Sequence, residues 1–246
     1  MVNLYHHATI IDIVGEFSYF KTMPNDNYQT LKQHAIEEGA DLFVVCETLK
    51  LDKYIDAELK DAAEKLLYTI SIGVRLQKAV LDTIVDRPNQ IYKTHYRQAN
   101  TTLDHVIYSL ARLIQSKGFK AIPIAASLIV DWEKQTSHLS HRHAALNAGL
   151  GFWGKNNLLI HPEFGAGIRL ASLFTDMPLK VDSPIPNNCG DCLNCMIACP
   201  ADAITENGFE FEKCYTQIKE FSRHNNYNLY ICGLCVKACT DARRKT

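Results

Sequence analysis

Hydrophobic and polar positions along the first part of the chain follow two periods, one typical of helices and one typical of strands. A helical pattern in residues 27–38 stops at Gly39, and the apolar run after it predicts a buried strand at residues 41–46. A second helical pattern begins near Asp56. The next apolar stretch, "TISIGVRL", contains β-branched residues and Gly73, which indicates a strand or a loop at a site.

The clearest helix is predicted at residues 95–117, where apolar side chains recur on one face and Gly118 follows. "FKAIPIAAS" predicts a strand, and Ser140 is a candidate N-cap for a short helix that ends at Gly149. "NLLI" and "IRLASLFT" predict two strands on either side of the turn "HPEFGAG". Because helices and strands alternate through residue 178, we expect an α/β or α+β sandwich there and assign the chain to the α+β class.

The segment "MPLKVDSPIPNN" contains three prolines in twelve residues and predicts a linker. We therefore expect two domains, at residues 1–180 and 187–246. The second domain begins with a run of closely spaced cysteines.

Four cysteines lie within eleven positions in "CGDCLNCMIACP", with the spacing C-x2-C-x2-C-x3-C-P of bacterial-type ferredoxins. Four more follow downstream. In a two-cluster ferredoxin the fourth cysteine of such a run binds the other cluster. This rule predicts two [4Fe-4S] clusters: cluster 1 on Cys189, Cys192, Cys195 and Cys239, and cluster 2 on Cys199, Cys214, Cys232 and Cys235.

Zinc and disulfides fit these cysteines less well than clusters do. Structural zinc prefers two separated C-x2-C pairs, so the third closely spaced cysteine would be surplus. Disulfides require an oxidising compartment. The ninth cysteine, Cys46, follows an apolar run and is expected to pack as a small hydrophobe.

Composition narrows the possible functions. Hydrophobic residues make up 47% of the 246 residues, enough for a sizeable core, and the net charge of −1 gives no strongly basic nucleic-acid surface. The start of the sequence lacks a signal-peptide pattern, and no apolar run approaches the length of a membrane span. We expect a cytoplasmic protein without a membrane partner.

The segment before the cysteines, together with all eight cluster cysteines, resembles the epoxyqueuosine reductase family. That family has the signature AGLGW-x-GKN-x-LLI, followed by a proline, an acidic residue and a glycine turn, and then a strand ending in TD-x-PL. Here the matching stretches are "AGLGFWGKN" at residues 148–156, "LLI" at 158–160, "PEFG" at 162–165 and "TDMPL" at 175–179.

The resemblance implies cobalamin in a nitroreductase-like domain, followed by a ferredoxin-like module with two [4Fe-4S] clusters, as in the related reductive dehalogenases. It places the signature residues at the cofactor, and glycine backbone can approach a flat macrocycle closely. Leu159 and Leu170 fall where the family contacts cobalamin, although burial in a strand accounts for both equally well. The implied cofactor-binding residues are Gly149, Gly151, Gly154, Lys155, Asn156, Leu159 and Leu170.

The resemblance also implies an order of electron transfer. A ferredoxin or flavodoxin would reduce cluster 2, and cluster 1 would lie closer to the corrin. The sequence contains no D-x-H-x-x-G motif, so we expect cobalamin to bind base-off, without a protein imidazole.

Two features depart from the family. The family's proton-donating aspartate, in a context like V-D-x-x-P, is missing from the equivalent "AIPIAAS". Candidate proton donors are Asp131, His141 and His143. Alternatively, Asp131 is a solvated loop carboxylate, and the two histidines are capping or surface residues.

The second departure concerns tRNA. The sequence ends seven residues after Cys239, has Thr240 where the family usually has proline, and lacks the family's C-terminal helical region. Residues 187–246 contain seven Lys/Arg and seven Asp/Glu, so no basic face for phosphates is evident. Binding to tRNA is therefore not expected, although the tail "RRKT" offers one local contact.

These observations leave four hypotheses. The first is a corrinoid-dependent iron–sulfur reductase, an oxidoreductase that acts on an unidentified small molecule. The second is an electron-transfer partner that reductively activates another corrinoid protein. The third is a two-cluster electron carrier without cobalamin, and the fourth is an epoxyqueuosine reductase acting on tRNA.

Overall fold

The computed structural model of the protein describes residues 23–243, apart from the side chain of Asn225. Residues 1–22 of the predicted first domain lie outside the described residues, as do the last three residues of the "RRKT" tail. Among the described residues, no helix combines the length and the hydropathy that a membrane span requires.

The described residues form eight α-helices, eight strands and two 3₁₀ segments. The α-helices are α1 Pro24–Glu37, α2 Ala57–Ala63, α3 Lys78–Asp82, α4 Gln90–Ser116, α5 His141–Asn147, α6 Asn194–Ile197, α7 Phe211–Arg223 and α8 Leu234–Arg243. The strands are β1 Leu42–Glu47, β2 Tyr68–Arg75, β3 Ala121–Ile124, β4 Phe152–Trp153, β5 Leu159–Ile160, β6 Ile168–Thr175, β7 Ile204–Thr205 and β8 Gly208–Phe209. The 3₁₀ segments are Thr48–Tyr54 and His224–Asn226.

Four strands form one sheet in the order β1-β2-β6-β3, and every neighbouring pair is antiparallel. The two central strands pair along their whole length, from Tyr68 opposite Thr175 to Arg75 opposite Ile168. Antiparallel strands do not need the helical crossovers that join parallel ones. The predicted mixture of helices and strands is confirmed, and the strand directions favour α+β over α/β.

Helices cover the sheet on both faces. Because successive side chains of a strand point to opposite faces, Val45 of β1 packs with α1 and α4, whereas Cys46 faces α5. In β6, Leu173 likewise packs with α1 and α4, whereas Phe174 faces α5. The thiol of Cys46 is fully buried, 3.7 Å from the carbonyl oxygen of Ala144. Its predicted packing as a small hydrophobe is confirmed.

Helix α4 begins five residues before the predicted start. The side chain of Asn89 accepts a hydrogen bond from the backbone N–H of Tyr92 at 2.9 Å and so caps the helix. The first turns face the cysteine-containing part of the chain: Tyr92 and Ala99 pack in a core cluster with Tyr227 and Leu234. The apolar period of the central helix does not extend through these turns, and for that reason the sequence pattern predicts a later start.

The predicted linker contains no helix or strand among the described residues, but it is attached to the edge of the sheet. The backbone N–H of Asp182 donates to the carbonyl oxygen of Val45 at 2.9 Å. The Asp182 carboxylate accepts hydrogen bonds from the N–H of Val45 at 3.0 Å and from the hydroxyl of Tyr28 at 2.9 Å. The chain therefore leaves β6 and crosses β1 before it reaches the cysteines.

Ser140 precedes α5, as predicted, but its hydroxyl does not cap the helix backbone. The hydroxyl oxygen lies 2.7 Å from Nδ1 of His143 instead. The predicted helix is therefore present, whereas the predicted side-chain cap is wrong.

Asn89→Ala should lower the free energy of unfolding by about 1 kcal/mol, because the N–H of Tyr92 loses its acceptor. Asn89→Asp retains that acceptor but, like the alanine variant, loses the Nδ2 hydrogen bonds to Thr83, so the difference between the two variants measures the cap. Urea titrations followed by circular dichroism measure both. Equal stability of the wild type and the alanine variant would contradict the capping role.

Candidate metal and cofactor site

The eight predicted cluster cysteines lie on three helices and the loops that join them. Cys195 is on α6, Cys214 is on α7, and Cys235 and Cys239 are on α8. The remaining four, Cys189, Cys192, Cys199 and Cys232, lie in the adjoining loops. None of the described cysteines is joined in a disulfide.

The four cysteines of the first predicted set lie close enough to affect one another's ionisation. Burial raises the pKa of Cys195, and the neighbouring Cys189 and Cys192 raise it further. Burial raises the pKa of Cys239 to about 11, with smaller contributions from Cys189 and Cys195. Helix α8 thus brings Cys239 to the three cysteines of the first motif.

The second predicted set lies together in the same way. Burial raises the pKa of Cys214 to about 11, and Cys199 raises it further. Burial also raises the pKa of Cys232 to about 11, with added contributions from Cys214 and Cys199. Cys235 has its pKa raised by burial and by the other three members of this set, and also by Cys195 of the first set. The two sets are therefore neighbours.

The spacing of the sulfur atoms matches a cluster better than a single metal ion. Zinc bound by thiolates at about 2.3 Å would place neighbouring sulfurs about 3.8 Å apart. Among residues 23–243, the only three or more potential ligand atoms within 4.8 Å of one another belong to Asp56, Glu58 and His138. The cysteine sulfurs are spread more widely than one zinc ion permits, which fits the iron–sulfur donor set.

Two glycines of the turn between β5 and β6 allow α8 to approach the sheet. A Cβ atom added at Gly165 would lie 2.7 Å from the carbonyl oxygen of Cys239, and one added at Gly167 would lie 2.6 Å from Oγ1 of Thr240. The sequence predicts this turn, but the two contacts join segments more than 70 residues apart. The glycines in "GAG" were the only signal available in the sequence.

A cavity of about 1110 Å³ lies between the sheet and the cysteine-containing segment. Its volume exceeds the roughly 300–1,000 Å³ of ordinary small-molecule pockets. The side of the sheet supplies His141, Arg142, Arg169, Leu170 and others. The opposite side includes all four cysteines of the second set: Cys199, Cys214, Cys232 and Cys235.

This arrangement bears on one expectation. The resemblance implies that cluster 1 lies closer to the cofactor, yet no cysteine of the first set is among the residues that line the cavity. Members of the second set line it because α7 and the start of α8 face the sheet. The second set is therefore the one next to the cavity, which favours the opposite order if the cofactor binds there.

The chain was compared with known proteins. It is 36% identical over 113 residues to an epoxyqueuosine reductase of Bacillus subtilis, which covers 42% of this chain and 29% of that protein. The epoxyqueuosine reductase of Aliivibrio fischeri is 30% identical over 162 residues, 62% of this chain and 43% of the relative. That of Listeria monocytogenes is 27% identical over 231 residues, 87% of this chain and 58% of the relative. The chain is a relative of the epoxyqueuosine reductases.

The match spans less than two thirds of each of these epoxyqueuosine reductases. No protein-family model matches the chain. Solved structures share the fold. One is the catabolic reductive dehalogenase NpRdhA in complex with 3-bromo-4-hydroxybenzoic acid, which superposes with a TM-score of 0.70 at 21% sequence identity. The superposition covers 89% of this chain and 32% of the dehalogenase chain. An epoxyqueuosine reductase in complex with a tRNA stem loop superposes with a TM-score of 0.60 at 20% identity. That superposition covers 87% of this chain and 65% of the reductase chain.

The glycines of "AGLGFWGKN" face the protein's own backbone and side chains. An added Cβ would lie 2.0 Å from the carbonyl oxygen of Ser183 at Gly149, and 2.4 Å from that of Ile160 at Gly151. At Gly154 it would meet the side chain of Ile160 at 2.5 Å. The expectation that these glycines make room for a macrocycle is not supported, because close packing within the chain already requires them.

Lys155 and Asn156 of the signature also have structural partners. Nζ of Lys155 donates to the carbonyl oxygens of Gly190 at 2.9 Å and Cys192 at 3.2 Å, and so holds the first cysteine loop rather than the cavity. Oδ1 of Asn156 accepts a hydrogen bond from the N–H of Leu158. Nδ2 of Asn156 is buried without a partner among the described residues, and Asn156 lines the cavity.

Leu159 and Leu170 are core residues that also reach the cavity. Each is buried in an apolar cluster under the cavity, and each contributes to its wall. Leu159 also packs beside Gly151.

Asp131 does not fit the role of proton donor. Its carboxylate accepts hydrogen bonds from the N–H groups of Lys134 at 3.0 Å and Glu133 at 2.9 Å, which lower its pKa. A carboxyl group with a lowered pKa is ionised at neutral pH and has no proton to give. Asp131 is also absent from the residues that line the cavity.

His141 lines the cavity but is held in a neutral form. Burial lowers its pKa to about 4. Its Nε2 lies 3.0 Å from the carbonyl oxygen of Ala125, which only accepts, so Nε2 carries the proton. Nδ1 then accepts from the hydroxyl of Ser172 at 2.9 Å. Both ring nitrogens are therefore engaged with the protein.

His143 is held in a column of rings at the cavity wall. Its ring stacks on Tyr54, with centroids 3.7 Å apart, and lies 4.7 Å from the ring of Trp153. Nδ1 faces the hydroxyl of Ser140, and partial burial lowers the pKa. The alternative of an exposed surface histidine is wrong for both histidines.

Sequence reasoning missed the arginines of the cavity. Arg169 lies in strand β6, whose other residues are all buried, and Arg142 lies between two histidines at the start of α5. A charged residue inside a buried strand is unusual. That local anomaly was the available signal for Arg169.

Gly149→Ala should strongly destabilise the protein, because the added methyl group meets the Ser183 backbone and φ is +79°. Gly118→Ala is the matched control: φ is +85°, but nothing lies within 4 Å, so we expect a loss of about 1 kcal/mol from strain alone. Melting temperatures measured anaerobically compare the two. Equal effects would show that the close approach at Gly149 is unimportant.

Proposed function

We propose that the chain is an oxidoreductase whose cysteines hold two [4Fe-4S] clusters and whose cavity holds cobalamin beside the substrate. The observation that supports this best is the shared wall of the cavity: the four cysteines of the second set lie opposite residues of the sheet. The sequence relatives are named epoxyqueuosine reductase, and a solved structure of the same fold is described as suggesting a mechanism for B12-dependent dehalogenation. The substrate is an unidentified small molecule.

In this proposal the clusters held by the cysteines provide a short route for electrons to the cavity. Cys189, Cys192, Cys195 and Cys239 hold cluster 1, and the other four hold cluster 2 next to the cavity. When bound, the clusters supply single electrons and cobalamin supplies a metal that can be reduced. A ferredoxin or flavodoxin would then donate near the first set, where Ile197 is 82% exposed.

The protein's own groups support this arrangement. Lys155 fixes the first cysteine loop, and the N–H of Ala203 donates to the sulfur of Cys199 at 3.4 Å. An N–H that points at a thiolate stabilises its negative charge. We assign the described residues up to 180 to a nitroreductase-like domain and those from 187 to a ferredoxin-like module.

The fit of cobalamin rests on the size of the cavity and on its polar groups. The volume of about 1110 Å³ suits a large cofactor. Asn156 Nδ2 and Ser137 Oγ are buried without partners among the described residues, and both residues line the cavity. An amide-rich ligand would offer such groups hydrogen bonds. Neither ring nitrogen of His141 is free to bind cobalt.

His143 is the proton donor that the geometry favours. Its ring is fixed by stacking between Tyr54 and Trp153, and no hydrogen bond to its Nε2 is found among the described residues. If the Ser140 hydroxyl donates to Nδ1, then Nε2 carries the proton of the neutral ring and can deliver it at the cavity wall. Asp131 and His141 are both engaged elsewhere.

Epoxyqueuosine reduction on tRNA is the second candidate, since an epoxyqueuosine reductase of this fold is known in complex with a tRNA stem loop. An electron-transfer partner of another corrinoid protein is the third. The balanced charge of residues 187–246 argues against tRNA, and a large cavity is not needed in a simple electron carrier.

Anaerobically reconstituted protein should contain about eight iron per chain, four for each cluster. Cys192→Ala and Cys235→Ala should each lose about half of the iron, because each removes a ligand of a different cluster. Cys46→Ala is the control and should retain all of it, since Cys46 is buried in a different core. A wild-type content near four iron, or one or two zinc, would reject the two-cluster proposal.

The same preparation should retain hydroxocobalamin after desalting, as judged by its visible spectrum. Cys235→Ala removes a sulfur from the cavity wall and should alter the reduction of bound cobalamin more than Cys192→Ala does. If the wild type never retains cobalamin, the hypothesis of an electron carrier without cobalamin replaces the hypothesis of a corrinoid-dependent enzyme.

Binding to unmodified tRNA should be weak at physiological salt and nearly independent of salt, because few phosphates would be neutralised. Fluorescence anisotropy with a labelled anticodon stem loop at two salt concentrations measures both properties. Tight binding with a steep salt dependence would instead favour the epoxyqueuosine reductase hypothesis.

A further inference from the structure

The charged side chains that line the cavity are mostly positive. Five of the six are Lys or Arg, although the chain as a whole has a net charge of −1. The positive ones are Lys53, Arg97, Lys134, Arg142 and Arg169, and the negative one is Asp56. Away from the four lining cysteines, the ligand of the cavity therefore meets a local excess of positive charge.

Arg142 is partly buried without an acidic partner. Its guanidinium donates to the carbonyl oxygen of Asn157 and lies over the ring of Trp153 at 5.4 Å. No carboxylate within the described residues forms a salt bridge with it. Arg142 and Arg169 both line the cavity. Burial lowers the pKa of Arg142, and the positive charge of Arg169 lowers it further.

Arg169 is also held only by neutral groups. Its Nε donates to Oδ1 of Asn100 at 3.0 Å, and one terminal nitrogen donates to Oγ of Ser127 at 3.2 Å. Its guanidinium stacks over the ring of Tyr96 at 4.3 Å. No salt bridge to Arg169 occurs within residues 23–243. These contacts fix the position of the side chain without neutralising it.

Two like charges in a partly enclosed space are unfavourable unless an anion joins them. Each guanidinium has five N–H donors, and the contacts above use only some of them. Aromatic rings and neutral acceptors hold both groups in place before any ligand binds, which lowers the entropy lost on binding. An oxyanion that reaches both guanidiniums would gain charge-assisted hydrogen bonds.

We propose that Arg142 and Arg169 form an anion-binding pair that holds a phosphate group of the ligand in the cavity. A tetrahedral phosphate presents oxygens in several directions and can meet two planar guanidiniums at once. The phosphate can come from the phosphodiester of a cobalamin nucleotide loop or from a phosphorylated substrate. The pair goes beyond the proposed function, because it requires neither cluster nor cobalt.

The direct test is calorimetric titration of the anaerobic, cluster-containing protein with inorganic phosphate at constant ionic strength. The wild type should bind, and Arg142→Gln and Arg169→Gln should each bind at least about tenfold more weakly. Arg112→Gln is the matched control, since this exposed arginine of α4 does not line the cavity, and it should bind as the wild type does. Arg169→Lys retains the charge and should recover part of the affinity.

Melting temperatures separate a binding defect from a folding defect. If Arg142→Gln does not fold, Arg169→Gln alone decides the outcome, because Arg169 is held by side chains at the cavity wall. Wild-type protein that binds no phosphate, or an equal loss in Arg112→Gln, would overturn the proposal.

A second titration identifies the source of the phosphate. Cobinamide lacks the nucleotide loop and its phosphodiester, so its retention is compared with that of cobalamin. Loss of the preference for cobalamin in the arginine variants assigns the pair to the cofactor, whereas an unchanged preference assigns it to the substrate. If the wild type retains neither corrinoid but still binds phosphate through the pair, the proposed cofactor is wrong and the anion site stands.

Discussion

The contact between helix α8 and the turn before β6 fixes the relation between the cysteines and the sheet. Helix α8 lies so close to this turn that a Cβ at Gly165 would overlap the Cys239 backbone and one at Gly167 would overlap the Thr240 side chain. Because α8 contains Cys235 and Cys239, one from each set, this single contact positions both sets. Nζ of Lys237 strengthens it from the other side by donating to the carbonyl oxygen of Ile84 at 2.6 Å. The cavity exists because the helix is held there.

The first cysteine motif is followed by a proline and the second by a threonine, and this difference affects the length of the helix at each motif. After Cys199 comes Pro200, and helix α6 ends before it at Ile197. After Cys239 comes Thr240, which has a backbone N–H and allows α8 to continue to Arg243. The Thr240 hydroxyl donates to the carbonyl oxygen of Val236 at 2.9 Å, and the residue is fully buried against the glycine turn. The absence of a proline after Cys239 thus permits the longer helix that fixes the cavity.

Electrostatics divides the cavity into two ends. At one end, burial raises the pKa of the thiols, so the protein alone does not favour their anionic form, and a metal cluster is the natural compensation. At the other end, guanidinium groups without acidic partners favour an anion. A ligand between them would experience positive charge on the sheet side and the second set of cysteines opposite. This division suits a redox site that orients its ligand by charge.

The sequence alone determined the features that depend on local order. Strand β6 occupies the residues of "IRLASLFT", because a short, mostly apolar run bounded by turns is a local pattern that predicts a buried strand. The cysteine spacings match the two-cluster ferredoxin pattern, whose rule for the fourth cysteine predicts the two sets that lie together. The tertiary structure decided which set faces the cavity, that the signature glycines contact Ser183 and Ile160, and that Asp131 is tied to its own loop. Those facts depend on contacts between residues far apart in the chain, and no local period encodes which distant backbone a residue will meet.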